Sequence, residues 1–141
     1  MVIVFDASLA VKWFVDEVNS DSANQLLRRH EGEIAVPELF VTEVVGALVR
    51  RANMDKTLRS EVEFSISRLI RMIENHMLRV NALTPAQTRA ASRLALDLGH
   101  PLKDCLYVIL AMDLGCPLVT ADARFVEKAR GVYGDVRGLG E

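Results

Sequence analysis

The sequence predicts one α/β domain, built on a central and mostly parallel sheet with helices on both faces. Short apolar runs rich in β-branched residues recur at 2–5, 34–36 and 118–120, and such runs are typical of strands buried on both faces of a parallel sheet. Helical patterns separate the runs, which is the order expected of βαβ units. The length of 141 residues suits a single domain, 1–141, with its own core.

The composition and the net charge argue against several classes of protein. Half of the residues are hydrophobic and the formal net charge is −2, which argues against disorder and against binding of polyanions through a broad basic surface. A local basic rim beside an acidic pocket remains compatible with this charge. No basic leader precedes the first apolar run, and no run reaches the ~18 residues of a transmembrane helix. We therefore expect a cytoplasmic protein without a membrane segment.

The two cysteines are expected to be buried free thiols. Cys105 and Cys116 each lie in or beside an apolar segment, and their spacing is not that of a CxxC motif. A buried thiol is therefore favoured over a disulfide or a metal site.

Apolar periodicity, caps and breakers predict the order of the elements. Asn19 or Ser20 suits the start of the second helix, and Pro37 suits the first turn of the third because its N–H is not needed there. The predicted elements are, in order, a strand at 2–5, a helix through Phe14, a helix from Asn19 or Ser20 to His30, a strand at 34–36, a helix from Pro37 to about Arg51, a helix from Thr57 to Asn75, a strand at 78–81, a helix from Thr84 to Gly99, a helix at 102–114, a strand at 118–120, a helix from Asp122 to Arg130 and a strand at 132–136.

Two aspartates stand where predicted strands end. Asp6 follows the first apolar run, and Asp122 follows the run at 118–120. Open α/β sheets bind ligands outside the carboxyl ends of their strands, so both side chains are candidates for a shared site. Each aspartate also opens a helical pattern, and the alternative is that each only caps its helix.

Glu43 lies on a predicted helix whose other face is apolar. The stripe through Glu43, Gly46, Ala47 and Arg50 is small or charged. Because glycine costs roughly 1 kcal/mol relative to alanine inside a helix, we interpret Gly46 as a sign of close approach at this face. The alternative is a solvated face on which Glu43 pairs with Arg50.

Asp104 stands near the start of a helix that is apolar nearly all round. Such a helix is largely buried, so Asp104 is expected to be at least partly desolvated. A buried carboxylate needs a cation, a metal or a proton, and Lys103 points about 100° away around the helix axis. The alternative is an ordinary first-turn acid that the helix dipole favours.

Taken together, the four acids predict a carboxylate cluster in one cleft. Like charges in a cleft repel each other, and a divalent cation relieves that repulsion. Oxygen ligands select Mg²⁺ or Mn²⁺ over zinc, and the sequence offers no His and Cys set typical of zinc. Such ions activate water and stabilise an in-line displacement at phosphorus. The cluster therefore predicts metal-dependent chemistry at a phosphate group.

Four stretches occur in an order that is familiar from a known family. They are Val4-Phe-Asp-Ala-Ser-Leu-Ala-Val-Lys-Trp-Phe14, Val36-Pro-Glu-Leu-Phe-Val-Thr-Glu43, Asp104-Cys-Leu-Tyr107 and Leu118-Val-Thr-Ala-Asp-Ala-Arg-Phe125. Together they resemble the PIN-domain family, and more closely its VapC-type toxin ribonucleases. The resemblance spans nearly the whole chain.

The resemblance implies a Mg²⁺- or Mn²⁺-dependent endoribonuclease that acts on RNA as the toxin of a toxin–antitoxin pair. It also implies a homodimer, and a small antitoxin whose tail fills a groove near the site and can place an arginine against the acids. Asp6 and Asp104 are expected to hold the metal most directly. The residues that match the family's site are the acids Asp6, Glu43, Asp104 and Asp122 and the supporting hydroxyls of Ser8 and Thr120.

Two positions depart from the family pattern. Gly46 stands where an asparagine is common, and Lys103 stands where a tyrosine is common. Neither change removes a metal ligand, but both alter the side chains available to a substrate.

Basic side chains near the acids are candidates for contacts with RNA phosphates. Lys12 and Arg124 lie on the helices that follow Asp6 and Asp122, so they are preferred over Arg50 and Arg51. The alternative for each is a solvated charge.

Aromatic and histidine side chains are not expected in the site. Core packing is favoured for Trp13 and Phe14 over stacking on a base or contact with the antitoxin. His30, His76 and His100 lie at helix ends and in a turn, so we expect all three to be bystanders. A metal-bound hydroxide is then a better model of the nucleophile than a histidine base.

Two other function classes remain open. One is a catalytically inactive PIN-like module that binds RNA or a protein, which turnover alone would distinguish from the enzyme. The other is phosphoryl transfer on an aspartate, for which paired acids after an early strand or an Asp-x-Asp pattern are expected. The segment Asp6-Ala-Ser8 contains neither pattern.

Overall fold

The computed structural model describes residues 1–141 and is built on five parallel strands in one sheet. The strands are β1 (Ile3–Phe5), β2 (Ile34–Pro37), β3 (Leu78–Asn81), β4 (Leu118–Thr120) and β5 (Val136–Gly138). The helices are α1 (Ala7–Val11), α2 (Ser20–Arg29), α3 (Glu38–Met54), α4 (Arg59–Glu74), α5 (Pro85–Leu98), α6 (Leu102–Leu114) and α7 (Ala123–Arg130), with a 3₁₀ turn (Lys56–Leu58) before α4.

The strand order places the start of the chain in the middle of the sheet. The order is β3-β2-β1-β4-β5, and all neighbouring strands are parallel. The chain moves outward from β1 to β2 and β3, and then crosses back to β4 on the other side of β1. This change of direction leaves a crevice outside the carboxyl ends of β1 and β4, which is where open α/β sheets bind ligands.

Apolar burial explains why helices cover both faces of the sheet. Successive residues of a strand point to opposite faces, and Ile3, Val4 and Phe5 of β1 are all buried. The three residues of β4 are buried as well. Strands of this kind cannot leave either face in water, and the predicted α/β class is confirmed.

Several predicted helix ends are confirmed by their caps. Thr84 begins α5 with a capping box, in which its Oγ1 accepts the N–H of Gln87 at 3.1 Å while Gln87 Oε1 accepts the N–H of Thr84 at 2.9 Å. Gly99 and Gly115 follow α5 and α6 in the left-handed conformation, with φ of 61° and 62°. Glycine adopts this conformation without strain, which is why both helices end there.

The last strand is present, but its predicted bounds are wrong. It was expected at 132–136, whereas β5 covers Val136–Gly138. Val132 and Tyr133 donate their N–H groups to the carbonyl of Ala129 and thereby complete the turn after α7. Because β5 reads Val-Arg-Gly at the edge of the sheet, it lacks the apolar run that identified the inner strands.

Two early helices also differ from the prediction. The helix α1 ends at Val11 rather than at Phe14. Asn19 precedes α2 with φ of 68° and makes no side-chain capping bond. The hydroxyl of Ser20 donates instead to the carbonyl of Val15 at 2.8 Å. The turn before α2 is therefore stabilised by a bond to the preceding loop and not by a helix cap.

The core contains the tryptophan and the two cysteines, as expected. Trp13 is buried beside Phe5, and its Nε1 donates to the carbonyl of Ala23 at 3.0 Å. Cys105 and Cys116 are buried free thiols, and burial raises the pKa of Cys105 to about 11. None of the helices combines the length and the apolar character that crossing a membrane requires.

Candidate active site

A cleft of about 450 Å³ opens at the carboxyl ends of β1 and β4 and brings together all four acids singled out in the sequence. The ends of the two strands form its base, while α3 and α6 supply its sides. The polar residues that line the cleft are Asp6, Ser8, Thr42, Glu43, Arg50, Lys103, Asp104, Tyr107 and Asp122.

Asp6 is the buried acid at the base of the cleft. Its Oδ1 accepts hydrogen bonds from Ser8 Oγ at 2.7 Å and from the N–H of Leu9 at 3.1 Å, and its Oδ2 accepts a hydrogen bond from Thr120 Oγ1. The bond from Leu9 makes Asp6 the cap of α1. Capping and a place in the cleft, which were alternatives in the sequence, are therefore compatible.

Burial raises the pKa of Asp6 to about 6. Desolvation is the largest cause, because it penalises the charged form. The hydrogen bonds from Thr120, Ser8 and Leu9 lower the pKa and so oppose the shift, while the negative charge of Asp104 adds to it. Asp6 is thus a carboxylate that lacks a compensating positive charge.

Glu43 extends from α3 and is held by two residues of α6. Tyr107 donates its hydroxyl to Glu43 Oε1 at 2.7 Å, and Lys103 Nζ lies 3.4 Å from Glu43 Oε2. Burial, together with the charge of Glu43, raises the pKa of Tyr107 above its ordinary value, so this hydroxyl remains a hydrogen-bond donor. The partners of Glu43 are thus on α6, and not the Arg50 that the sequence offered as an alternative.

Asp104 lies in the first turn of α6 with a histidine beside it. His100 Nε2 is 2.7 Å from Asp104 Oδ2, and the His100 ring stacks on Phe125 with centroids 4.6 Å apart. Asp104 is partly buried, as its helix suggested. His100, which was expected to be a bystander, is therefore in direct contact with one of the four acids.

Asp122 is the most exposed of the four acids and begins α7. Its Oδ1 accepts the N–H groups of Arg124 at 3.1 Å and Phe125 at 3.2 Å. Its own N–H donates to Thr120 Oγ1 at 3.1 Å. Because the same hydroxyl donates to Asp6, Thr120 connects the acids that follow β1 and β4.

A comparison of the sequence with models of protein families identifies the family of this chain. The model of the PIN domain matches residues 3–131, a range that contains all four acids. The chain belongs to the PIN domain family. No curated protein matches the chain by sequence.

Solved structures share the fold of this PIN domain at low sequence identity. VapC20 of Mycobacterium tuberculosis, described as a sarcin–ricin loop cleaving toxin, has a TM-score of 0.68 at 16% identity, over 89% of this chain and 93% of that chain. A toxin–antitoxin complex from Klebsiella pneumoniae has a TM-score of 0.65 at 15% identity, over 95% and 94%. A protein of Pyrobaculum aerophilum has a TM-score of 0.66 at 18% identity, over 97% and 83%. At these identities the likeness shows the fold alone.

PIN domains generally use divalent metal ions, and the donor set of this cleft fits such an ion. The four acids offer carboxylate oxygens, which are the ligands that hard divalent cations prefer. Asp6 is buried without a cationic partner, so a cation beside it would relieve the cost of its charge. As they stand, no three Asp, Glu, His or Cys side chains of the chain are grouped as a ligand set. The four acids share the cleft, but they are not arranged as a complete set of metal ligands.

The basic residues that line the cleft differ from the preferred candidates. Lys12 Nζ lies 3.1 Å from Glu17 Oε1 and donates to the carbonyl of Val18 at 2.9 Å, and Lys12 is not among the residues that line the cleft. Arg124 is exposed on α7, also outside the cleft lining. Arg50 and Lys103 line the cleft itself.

The close approach inferred at Gly46 is wrong. A Cβ placed on Gly46 meets no atom within 4 Å. The residue lines the cleft, so the missing side chain leaves open space there rather than room for a neighbouring element.

Two residues of the site, Tyr107 and His100, were not assigned to it from the sequence, and Lys103 was noted only as a departure from the family pattern. Tyr107 is one turn after Asp104 on α6, Lys103 is directly before Asp104, and His100 is four residues before it. The spacing of Tyr107 and Asp104 places both on one side of the helix, which is a signal that the sequence did contain. No local pattern showed that α3 or α7 would lie opposite these side chains.

Proposed function

We propose that this PIN domain is a metal-dependent endoribonuclease that hydrolyses RNA phosphodiester bonds and acts as the toxin of a toxin–antitoxin pair. The observation that carries the proposal is the single cleft in which acids from β1, α3, α6 and the start of α7 meet two basic side chains. A site of this composition suits a phosphate ester, because carboxylates hold a divalent cation while basic groups hold the polyanion.

Mg²⁺, with Mn²⁺ as a substitute, is the proposed cofactor. Asp6 and Asp104 are proposed to hold it most directly, with Glu43 and Asp122 completing the set directly or through water. A bound ion of this kind supplies an activated water and stabilises charge that develops at phosphorus.

The remaining residues of the cleft orient the acids. Ser8 and Thr120 hold both oxygens of Asp6, and Tyr107 holds one oxygen of Glu43. Such hydrogen bonds keep carboxylates in a fixed direction and are worth more at partly buried sites than in water. Ser8 and Thr120 are accordingly proposed as supporting residues rather than as ligands.

Arg50 and Lys103 are the proposed contacts for RNA phosphates within the cleft. Both are exposed and line the cleft. Lys12 and Arg124 are proposed only as outer contacts, because Lys12 is already paired with Glu17. A local pair of basic groups is consistent with RNA binding by a chain whose net charge is −2.

An antitoxin protein is the proposed partner. Its tail is proposed to fill a groove near the acids, and a second groove, lined by Trp13, Phe14, Phe64 and Arg68, is the proposed place for the rest of the protein. Phe64 is 66% exposed there, and the Arg68 guanidinium lies 5.3 Å from the centre of the Phe14 ring. The structural neighbour from Klebsiella pneumoniae is a toxin–antitoxin complex, which supports a partner of this kind. A homodimer and action in the cytoplasm are also proposed.

A binding module without catalysis is the second candidate function. The observations that favour it are that no three possible ligands are grouped and that Glu43 and Asp104 already have partners in Lys103 and His100. Such a module would bind RNA or a protein through the same cleft.

Cleavage of end-labelled cellular RNA tests the proposal. The assay compares Mg²⁺, Mn²⁺ and EDTA for the wild-type protein, for Asp104→Asn and for Asp97→Asn, an exposed acid of α5 outside the cleft. We expect metal-dependent cleavage that Asp104→Asn abolishes and Asp97→Asn retains. Absence of cleavage by folded, metal-loaded protein would favour the binding module, and cleavage that survives Asp104→Asn would overturn the assignment of the site.

A further inference from the structure

The backbone of His100 is fixed by the turn between α5 and α6. Gly99 ends α5 in the left-handed conformation, and the N–H of His100 donates to the carbonyl of Ala95 at 3.0 Å. Pro101 follows, and a residue before proline is kept out of the helical region. The side chain of His100 therefore starts from a defined position beside the first turn of α6.

The ring of His100 is held in one plane. Its side chain is 10% exposed, and the ring lies on the buried Phe125 with an angle of 22° between the two planes. In this orientation Nε2 points at Asp104 Oδ2. An ionised carboxylate is only an acceptor, so a hydrogen bond to the carboxylate form of Asp104 requires the proton on Nε2.

Phe125 connects this histidine to a second acid of the cleft. The Phe125 ring supports His100, while its backbone N–H donates to Asp122 Oδ1. Asp104 and Asp122 are thus oriented by the same residue of α7, one through His100 and the other directly. Oδ2 of Asp104 forms the hydrogen bond with His100 Nε2. Because this bond fixes the plane of the carboxylate, it also fixes the direction of the second oxygen, Oδ1.

We infer that His100 is a positioning residue that orients Asp104 for binding of the divalent cation. The inference depends on the proposed function, because it assigns to Asp104 a ligand role in the same cleft. Residues that orient metal ligands by hydrogen bonds typically change metal affinity about 10–100-fold when they are removed. The ring of His100 acts through Asp104 and does not itself need to reach the metal or the RNA.

Substitutions can separate the hydrogen bond from the stacking. In His100→Phe an aromatic ring can still lie on Phe125, but the donor to Asp104 is lost. In His100→Gln the amide nitrogen can reach the place of Nε2, whereas the shorter side chain of His100→Asn cannot. His30 also packs against an aromatic ring, that of Phe5, away from the cleft, and His30→Phe is therefore a matched control.

The test is a Mn²⁺ titration followed by electron paramagnetic resonance, with thermal unfolding in EDTA for each variant and RNA cleavage in parallel. We expect His100→Phe and His100→Asn to bind Mn²⁺ about 10–100-fold more weakly than the wild type, His100→Gln to recover most of the affinity, and His30→Phe to be unchanged. If His100→Phe does not fold, the comparison of Gln with Asn answers the same question.

Three results from the variants would overturn the inference. They are wild-type affinity in His100→Phe, equal affinity in the Gln and Asn variants, or a loss that His30→Phe shares. A wild-type protein that cleaves RNA with metal while the His100 variants bind Mn²⁺ normally would overturn this inference and leave the proposed function intact. A wild-type protein that neither binds Mn²⁺ nor cleaves RNA would overturn both.

Discussion

The base of the cleft and its side wall hold their acids in different ways. We call the residues at the ends of β1 and β4 the floor, namely Asp6, Ser8, Thr120 and Asp122, and those on α3, on α6 and in the turn before it the wall, namely Glu43, His100, Lys103, Asp104 and Tyr107. In the floor, the buried Asp6 is held by hydroxyls and a backbone N–H. In the wall, each acid is held by side chains from a distant part of the fold or from a neighbouring turn.

The difference separates two properties of the acids, namely the cost of a buried charge and the orientation of a carboxylate. Asp6 is desolvated and lacks a positive neighbour, so its negative charge is costly in the absence of a cation. The wall acids are less buried, with side chains 21% exposed for Glu43 and 23% for Asp104, and their partners mainly fix orientation. The floor therefore contains the acid whose charge is most costly, and in the wall the hydrogen-bond partners fix the orientation of the acids.

The largest expected effect comes from removing the charge of the floor. The pKa of Asp6 is about 6 in the folded protein against 3.8 for an ordinary aspartate, so the folded state binds the proton more tightly. The free energy of unfolding therefore falls as the pH rises from 3.8 to about 6. Above pH 6 the whole cost of burying the charged carboxylate remains. We expect Asp6→Asn to be about 3 kcal/mol more stable than wild type at pH 7 in EDTA.

Urea unfolding at several pH values measures this effect. The stability gain of Asp6→Asn should shrink as the pH falls through 6 and vanish below 3.8, where the wild-type carboxyl is protonated in both states. Asp97→Asn, at an exposed position, is the control and should show no such dependence. An Asp6→Asn protein less stable than wild type at pH 7 would contradict the account of the floor.

A second effect concerns the wall. Tyr107→Phe removes the hydroxyl that holds Glu43 Oε1, and we expect RNA cleavage to fall about 10-fold with a loss of about 1 kcal/mol in the free energy of unfolding. Tyr133→Phe is the matched control, because its hydroxyl donates to the carbonyl of Cys116 at 2.7 Å and not to the cleft. Equal cleavage by the two variants would show that Tyr107 does not orient the site.

A third effect concerns the open space between floor and wall. Gly46→Ala adds a methyl group that meets nothing within 4 Å, so we expect a gain of about 1 kcal/mol from helix propensity. Gly115→Ala should instead lose stability, because φ at Gly115 is 62°. Thermal unfolding measures both, and a loss in Gly46→Ala would mean that this space is filled in solution.

The smallest expected effect comes from Lys103. Its side chain is 61% exposed and 3.4 Å from Glu43, and exposed ion pairs contribute less than about 1 kcal/mol to stability. We expect Lys103→Gln to unfold like the wild type. Its RNA affinity should fall, and the slope of log affinity against log salt concentration should decrease by the amount that corresponds to about one phosphate contact. Filter binding over a range of salt concentrations checks this, with Lys128→Gln on α7 as the control. An unchanged salt dependence would remove Lys103 from the RNA contacts.

The floor was predictable from the sequence, because its signals are local. A buried apolar run that ends in an aspartate predicts both the strand and the side of the sheet where the acid lies. Thr120 and Asp122 follow by the same argument from β4. The strand order then brings the ends of β1 and β4 side by side.

The wall was only partly predictable. The position of Asp104 on an apolar helix indicated its partial burial, but the partners of the wall acids depend on how α6 packs against α3 and α7. His100 was missed for this reason, since its stacking on Phe125 joins residues that no local pattern relates. Gly46 was misinterpreted because a helical glycine predicts close packing and an open cleft equally well.

The central claim is that floor and wall together hold a divalent cation, and anomalous diffraction from crystals soaked in Mn²⁺ tests it most directly. We predict a manganese peak inside the cleft, in contact with the carboxylates of Asp6 and Asp104, and no such peak in crystals of Asp6→Asn. A protein that cleaves RNA while its manganese lies outside the cleft, or an unchanged peak in Asp6→Asn, would contradict the claim.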